Sequence, residues 1–148
     1  IPDNEVPLIA EARAMRRVAL ARSVQVESDR DASHFAERFN IDWDLSRLIC
    51  SISENENMDP GLIFNVINVE SQFNTRAVGK VGEIGLMQVT DPAAQEWAEA
   101  ARVYPLPEEH LLDPRTNVLA GTWYLAKLLR RYAATDIRCS LLLRLARP

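Results

Sequence analysis

A single carboxylate followed by a glycine-bearing loop is the part of this 148-residue sequence best suited to chemistry. Glu70 follows a charge-free stretch, residues 65–69, that is predicted to be helical. Three of the five glycines then fall between residues 79 and 85, just before the tripeptide Leu86-Met87-Gln88. Glycine is favoured where the backbone takes a positive φ or approaches another group closely. The pattern predicts a cleft with one acid at its floor.

Glu70 has two interpretations from its position alone. A carboxyl group at the C-terminal end of a helix faces the negative end of the helix dipole, which favours the protonated form that a general acid needs. Most glutamates, however, are exposed surface charges, and a helix-terminal Glu70 could be one of them. The position leaves both interpretations open.

Composition excludes several classes of protein. With 47% hydrophobic and 26% charged residues, the chain is globular and long enough to bury a core without disulfide or metal support. Residues 1–100 carry 9 Lys/Arg and 17 Asp/Glu, and residues 101–148 carry 8 and 4, so we expect no nucleic-acid binding. Cys50 and Cys139 lack metal-ligand spacing, so we expect neither a metal nor a cofactor. Whether the two cysteines pair stays open.

Helix signals recur along the chain. The pairs Asp59-Pro60, Asp91-Pro92 and Asp113-Pro114 each predict a helix start, because Asp caps free amides and Pro lacks an amide to leave unpaired. Apolar residues follow each pair at helical spacing, and a further amphipathic helix is predicted from Ile41 to Ile52. The segment from Tyr104 to Leu112 is predicted to be a loop.

The N-terminal region is predicted to form a longer, more polar helix over residues 6–39, for which residues 28–33 are a candidate break. The sequence has few glycines and no alternating pattern typical of strands. It therefore predicts a mainly α fold, a single domain of five to seven helices. We expect residues 1–40 to be an N-terminal helical extension and residues 41–148 to be the domain itself.

Three motifs together resemble the soluble lytic transglycosylase family, which has a goose-lysozyme-like fold. The first is Glu70-Ser71-Gln72-Phe73-Asn74, and the second is Gly85-Leu86-Met87-Gln88. The third runs from Asn117 to Leu125 and follows Leu112-Asp113-Pro114. The resemblance covers about residues 41–132. It implies a lysozyme-like fold and action on the glycan strands of peptidoglycan.

The resemblance also implies a mechanism with one carboxyl group. Glu70 would protonate the glycosidic oxygen between N-acetylmuramic acid and N-acetylglucosamine, and then accept a proton from the muramoyl 6-hydroxyl. That internal attack closes a 1,6-anhydro ring and consumes no water. One carboxylate would then be enough to cleave the glycosidic bond, whereas most glycosidases use two.

The resemblance assigns further site residues. Ser71 would form a hydrogen bond near the acid or the sugar. Met87 and Gln88 would line the cleft and contact the N-acetyl groups. Asn117 and Tyr124 lie on one face of the predicted third-motif helix, with substrate-binding roles, and Tyr124 is placed to reach the cleft.

Two departures from the family pattern create alternatives. Glu83 occupies a position where the family often has a small residue, so it is either a second cleft carboxylate or a solvated loop charge. A hydrolysing muramidase that uses Glu70 with Glu83 or Asp91 is therefore an alternative function. The Tyr-Asn-Ala-Gly tract that follows the third motif in the family is missing from residues 137–148. We expect a C-terminally truncated domain with weakened activity, or a peptidoglycan-binding relative without turnover.

The resemblance places the protein in the periplasm or cell envelope, exported, with no signal peptide in this chain. The expected partners are peptidoglycan glycan strands and an envelope protein contacted through residues 1–40. We expect the protein to be a monomer.

Overall fold

The computed structural model describes residues 7–133, with side chains from residue 10 onward. Within this range the chain forms five α-helices and one 3-10 helix. The elements in chain order are α1 (Pro7–Phe39), α2 (Trp43–Asn55), α3 (Pro60–Ser71), α4 (Asp91–Ala100), the 3-10 helix (Glu108–Leu112) and α5 (Pro114–Ala133). Extended pairing in the described range is limited to two isolated bridges in the loop between α3 and α4. The predicted mainly α fold is confirmed.

All three Asp-Pro pairs lie at helix starts as predicted, and in two of them the Asp side chain caps the helix. The Asp59 carboxylate accepts a hydrogen bond from the Gly61 amide (2.9 Å), and Pro60 is the first residue of α3. Asp113 caps α5 by accepting from the Thr116 amide (2.9 Å). Asp91 is different: α4 begins at Asp91 itself, and its N-cap residue is Thr90.

The candidate break in the N-terminal helix does not occur, because α1 runs without interruption through residues 28–33. The polar side chains that suggested a break instead bind α2. The Ser28 hydroxyl donates to the Glu54 carboxylate (2.9 Å), and Arg47 Nε donates to Asp29 Oδ1 (3.0 Å). The Ser33 hydroxyl donates to the Asp29 carbonyl one turn earlier in the same helix (3.0 Å).

Between residues 10 and 39, the C-terminal part of α1 is the part that packs on the other described helices. Ala32 is fully buried, and its carbonyl accepts a hydrogen bond from the Ser46 hydroxyl of α2 (2.7 Å). Every side chain between residues 10 and 27 is exposed. The division at residue 40 stays a prediction, but residues 28–39 are packed as part of the body.

Four phenylalanines link α1 to α3 and to the chain that follows α3. Phe35 and Phe64 stack with their ring centroids 4.2 Å apart, and Phe39 lies 5.1 Å from Phe73. Aromatic pairs at these separations add stabilisation beyond their buried area. The cluster therefore anchors both sides of the C-terminal end of α3, where Glu70 lies.

The segment predicted as a loop, from Tyr104 to Leu112, contains the 3-10 helix, whose Leu111 is buried. The prediction was wrong for these five residues because a single buried leucine gives no helical periodicity to detect. None of the helices between residues 7 and 133 is both long and apolar enough to cross a membrane.

Cys50 is a buried, free thiol on α2, whereas Cys139 lies outside the described residues. Burial, together with the nearby Glu54 and Asp31 carboxylates, raises the pKa of the Cys50 thiol to about 12. The thiolate is the reactive form of cysteine, so Cys50 is protected from alkylation at neutral pH.

The raised pKa predicts a pH-dependent loss of stability. Between about pH 9 and 12 the unfolded chain loses the Cys50 proton while the folded chain keeps it, so the free energy of unfolding falls by about 1.4 kcal/mol per pH unit from this group. Urea unfolding at several pH values measures the slope. In Cys50→Ala this contribution should vanish, so equal slopes in the two proteins above pH 9 would contradict the prediction.

Candidate active site

Helix α3 presents Glu70 at its last turn. Ile63, Phe64 and Ile67 are fully buried on the core side of the helix, and Glu70 is exposed. The chain then turns sharply, because Gln72 (φ 50°) and Phe73 (φ 62°) both take left-handed backbone conformations. Consecutive non-glycine residues in this region are uncommon, and the partly buried ring of Phe73, packed on the phenylalanine cluster, helps to hold them there.

A cleft of about 220 Å³ opens beside Glu70. Four of the predicted site residues line it together, namely Glu70, Met87, Gln88 and Tyr124. The remaining wall is mostly apolar and includes Val66 of α3 and Leu125 and Leu128 of α5. The cleft thus combines one carboxylate with a largely apolar surface.

The Glu70 carboxylate is open to a ligand. Among residues 7–133, no side chain donates a hydrogen bond to it or forms an ion pair with it. Its exposure agrees with the interpretation as a surface charge, but its place in the cleft wall also suits a proton donor. Geometry therefore allows Glu70 to meet a bound molecule directly.

The Met87–Gln88 turn forms the floor of the cleft. Gln88 has a positive φ of 47°, and its side-chain amide donates to the carbonyls of Gly85 (2.9 Å) and Ala77 (3.3 Å). Met87 packs directly against Gly121 of α5, where an added Cβ would lie 2.6 Å from its sulfur. The Thr122 hydroxyl donates to the same sulfur at 3.6 Å.

Asn117 departs from its predicted role as a substrate contact. It is 1% exposed, and its side chain is used entirely within the protein. Its amide nitrogen donates to the carbonyls of Ile84 (2.7 Å) and Leu111 (2.8 Å), and its oxygen accepts from the Met87 amide (2.9 Å). Asn117 therefore positions the turn that carries Met87 and does not reach the cleft.

Ser71 also acts on the backbone. Its hydroxyl donates to the Leu86 carbonyl at 2.7 Å and lies 3.2 Å from the Ile67 carbonyl. This bond ties the end of α3 to the residue before Met87. Ser71 thus has a positioning role, and its predicted bond near the acid or the sugar, for which the hydroxyl oxygen can still accept, stays a prediction.

Glu83 lies in the loop next to the cleft and is not part of its lining. It is half-buried, and its carboxylate accepts a hydrogen bond from the Val81 amide (3.1 Å). The Glu83 and Gln88 side chains both pass over Gly79, where a Cβ would overlap the Glu83 carboxylate and lie 2.8 Å from Gln88 Oε1. Gly79 is thus required for this close approach.

Most apolar residues of the cleft wall were not predicted from the sequence as site residues. Leu125 and Leu128 continue the face of α5 that begins with Gly121 and Tyr124, at spacings of four and seven residues from Gly121. That helical spacing was the available signal. No group of three or more His, Cys, Asp or Glu side chains within residues 7–133 is placed to hold a metal ion.

A family comparison matches this architecture. The model of the transglycosylase SLT domain family matches residues 47–142, a range that contains Glu70, the Met87–Gln88 turn and α5. The chain therefore belongs to the transglycosylase SLT domain family, whose fold is lysozyme-like and all-α.

Curated relatives carry the name membrane-bound lytic murein transglycosylase C. The protein from Pectobacterium atrosepticum is 34% identical over 95 residues, which cover 59% of this chain and 25% of the relative. The protein from Edwardsiella ictaluri is 35% identical over 88 residues, or 54% of this chain and 23% of the relative. The chain spans about a quarter of the length of these relatives.

The positioning role of Asn117 predicts a large loss of stability on truncation. Asn117→Ala leaves the Leu111 carbonyl and the Met87 amide without partners, whereas the Ile84 carbonyl keeps its bond from the Val89 amide (2.9 Å). At about 1–3 kcal/mol for each unpaired group, we expect a loss of roughly 2–6 kcal/mol in the free energy of unfolding. Urea unfolding measures the loss. The matched control is Asn65→Ala on the exposed face of α3, which should change stability by less than about 0.5 kcal/mol. Equal effects of the two substitutions would refute the assigned role.

Proposed function

We propose that this domain is a peptidoglycan lytic transglycosylase that uses Glu70 as its acid and base. The observation that carries the proposal is that Glu70, Met87, Gln88 and Tyr124 line one and the same cleft. Membership of the SLT domain family and the lytic murein transglycosylase relatives support it. The substrate would be the glycan strand of peptidoglycan.

One carboxylate would serve both steps of the reaction. Glu70 would donate its proton to the glycosidic oxygen as the bond from C1 of the muramoyl sugar breaks. The resulting carboxylate would then take the proton of the 6-hydroxyl as O6 bonds to C1, which closes the 1,6-anhydro ring. Proton and electron pairs balance without water, so no second carboxylate is required.

The composition of the cleft supports internal attack over hydrolysis. Most glycosidases place two carboxyl groups about 5–9.5 Å apart across the scissile bond. Among the described residues that line this cleft, Glu70 is the only acid. Asp91, the other candidate for a hydrolytic base, is exposed, and its carboxylate accepts a hydrogen bond from Gln95 (2.9 Å).

The apolar part of the cleft suits an N-acetylated sugar. Val66, Leu125 and Leu128 would pack against the apolar ring face and the acetyl methyl group, since ligand sites are mostly apolar with a few polar groups that fix orientation. Met87, held by Thr122 and Gly121, would complete this surface, and Tyr124 would supply a hydroxyl group.

Location and partners follow from the substrate. Peptidoglycan is outside the cytoplasmic membrane, so the proposal places the domain in the periplasm or cell envelope. The protein partner of residues 1–40, the monomeric state and the weakened activity stay predictions. The last depends on residues 137–148, which lie outside the described residues.

Glu70→Gln tests the assignment of the acid. The amide keeps the shape of the side chain but has no proton to donate, so turnover of purified peptidoglycan should fall by about 10²–10⁴-fold. Release of soluble muropeptides measures turnover, and circular dichroism checks the fold. The control Glu99→Gln changes an exposed glutamate of α4 and should keep full activity. Turnover by Glu70→Gln close to the wild-type rate would refute the proposal, and so would glycan binding without turnover by the wild type.

Glu83→Ala separates transglycosylation from hydrolysis. Because Glu83 lies outside the cleft lining, we expect less than about a tenfold change in rate, well below the typical worth of a general acid or base. Mass spectrometry should find 1,6-anhydromuramoyl ends in both proteins. Glu109→Ala, an exposed glutamate of the 3-10 helix, is the control. Reducing ends from the wild type, together with a collapse in rate for Glu83→Ala, would assign the hydrolytic reaction instead.

A further inference from the structure

The side chain of Gln88 is held in one orientation at the edge of the cleft. Its amide nitrogen donates to the carbonyls of Gly85 (2.9 Å) and Ala77 (3.3 Å), which uses both N–H groups of that nitrogen. The two bonds also determine where the side-chain oxygen points. Within residues 7–133, no protein group donates a hydrogen bond to Gln88 Oε1. This oxygen can therefore accept a hydrogen bond from a bound molecule.

The Glu83 carboxylate lies beside Gln88 Oε1. An added Cβ at Gly79 would lie 2.7 Å from Glu83 Cδ and 2.8 Å from Gln88 Oε1, so the two side chains converge over the same glycine. The Glu83 carboxylate accepts one hydrogen bond, from the Val81 amide (3.1 Å), although an ionised carboxylate has about four acceptor sites. We call the Glu83 carboxylate and Gln88 Oε1 the acceptor pair.

The acceptor pair is not neutralised by a neighbouring cation in the described part of the chain. Lys80 is exposed, and no Lys or Arg side chain between residues 7 and 133 lies within ion-pair distance of Glu83. Glu83 is nevertheless half-buried, and a carboxylate that is partly removed from water gains most from a charged donor. The acceptor pair is therefore suited to a cation.

The geometry of the acceptor pair favours an ammonium group over other donors. A hydroxyl group donates one hydrogen bond, whereas an ammonium group has three N–H donors and can bind both oxygens. Glu83 Oε2 and Gln88 Oε1 are at most about 5 Å apart, a separation that one nitrogen can span with two bonds of ordinary length. A calcium ion would need about six to eight oxygen ligands, and no cluster of metal-binding side chains occurs among residues 7–133.

The acceptor pair extends from the cleft toward solvent. Gln88 lines the cleft, whereas Glu83 does not. The loop that carries Glu83 is accessible, since Lys80, Val81 and Gly82 are all exposed. A group that binds both oxygens is therefore best carried by a substituent that leaves the glycan strand and passes over Gln88 toward Gly79. The peptide stems of peptidoglycan are substituents of this kind, and their diamino acid supplies an ammonium group.

We propose that Glu83 and Gln88 together bind a free ammonium group on the peptide stem of the substrate. The proposal rests on the proposed function, because a stem reaches Glu83 only when its glycan strand lies in the cleft. It gives Glu83 a role that a small residue at this position could not have. Glu83 would select among peptidoglycan strands by the chemistry of their stems and would take no part in proton transfer at the glycosidic bond.

Calorimetric titration of the Glu70→Gln protein tests the proposal, because this variant should leave the ligand uncleaved. One ligand is a peptidoglycan tetrasaccharide whose stems carry a free side-chain amine, and the other is the same compound after acetylation of that amine. The free amine should bind about fivefold more tightly, which is the upper end for a partly exposed ion pair. Equal affinity for the two ligands would overturn the proposal.

Glu83→Gln, added to the Glu70→Gln protein, tests the acceptor itself. The new amide oxygen can still accept from the Val81 amide, so the loop is kept while the negative charge is lost. The preference for the free amine should fall below about twofold, and the affinity for the acetylated ligand should stay the same. The charge-matched control Glu99→Gln changes an exposed glutamate of α4 and should keep the fivefold preference. A preference that survives in Glu83→Gln would overturn the proposal. So would equal weakening of both ligands, which would assign Glu83 to the support of the loop alone.

The outcomes separate this inference from the proposed function. Turnover of peptidoglycan by the wild type, together with equal affinity of the Glu70→Gln protein for the two ligands, would overturn the inference alone. A wild type without turnover, whose Glu70→Gln form still prefers the free amine through Glu83, would refute the proposed reaction and support the ammonium site. Absence of both turnover and ligand binding would refute both.

Discussion

The side chain of Asn117 joins α5 to the end of the 3-10 helix and to the loop at residues 84–87, which is distant in sequence. From α5 it binds the carbonyls of Ile84 and Leu111 and the amide of Met87, at 2.7–2.9 Å. Because an unpaired buried polar group costs more than a typical hydrogen bond gains, all three partners must be in place at once. Gly85 is part of the same constraint, since its φ is 77° and an added Cβ would overlap the Asn117 amide.

The cleft depends on this constraint and on one further bond. Asn117 sets the distance between α5, which supplies Tyr124 and the apolar wall, and the turn that carries Met87. Ser71 then binds the Leu86 carbonyl and joins the same turn to the end of α3, next to Glu70. Acid, floor and wall are therefore linked by side chains that do not themselves line the cleft.

The fold was largely predictable from sequence because its helices begin at local signals. Asp59 and Asp113 cap their helices through atoms two and three residues away, so the pattern contains the whole interaction. The roles of Ser71 and Asn117 could not be predicted in the same way. Their partners lie 15 residues away for Ser71, and 30 and 33 residues away for two of the three Asn117 bonds. The motifs indicate that Ser71 and Asn117 are near the site. Only the packed structure shows that their side chains form hydrogen bonds with the backbone.

Helix α1 combines two environments in one unbroken element. In residues 28–39 the helical hydrogen bonds are reinforced by Ala32 in the core and by the phenylalanine cluster. In residues 10–27 every side chain is exposed, so the helical hydrogen bonds there gain no support from the core, and the intrinsic stability of a helix in water is small. The backbone amides of this region should therefore open and exchange with solvent deuterium much faster than those of residues 28–39. The first half of α1 can therefore unwind and re-form while the cleft keeps its shape. Local stability changes near residue 28, although the helix backbone is continuous there.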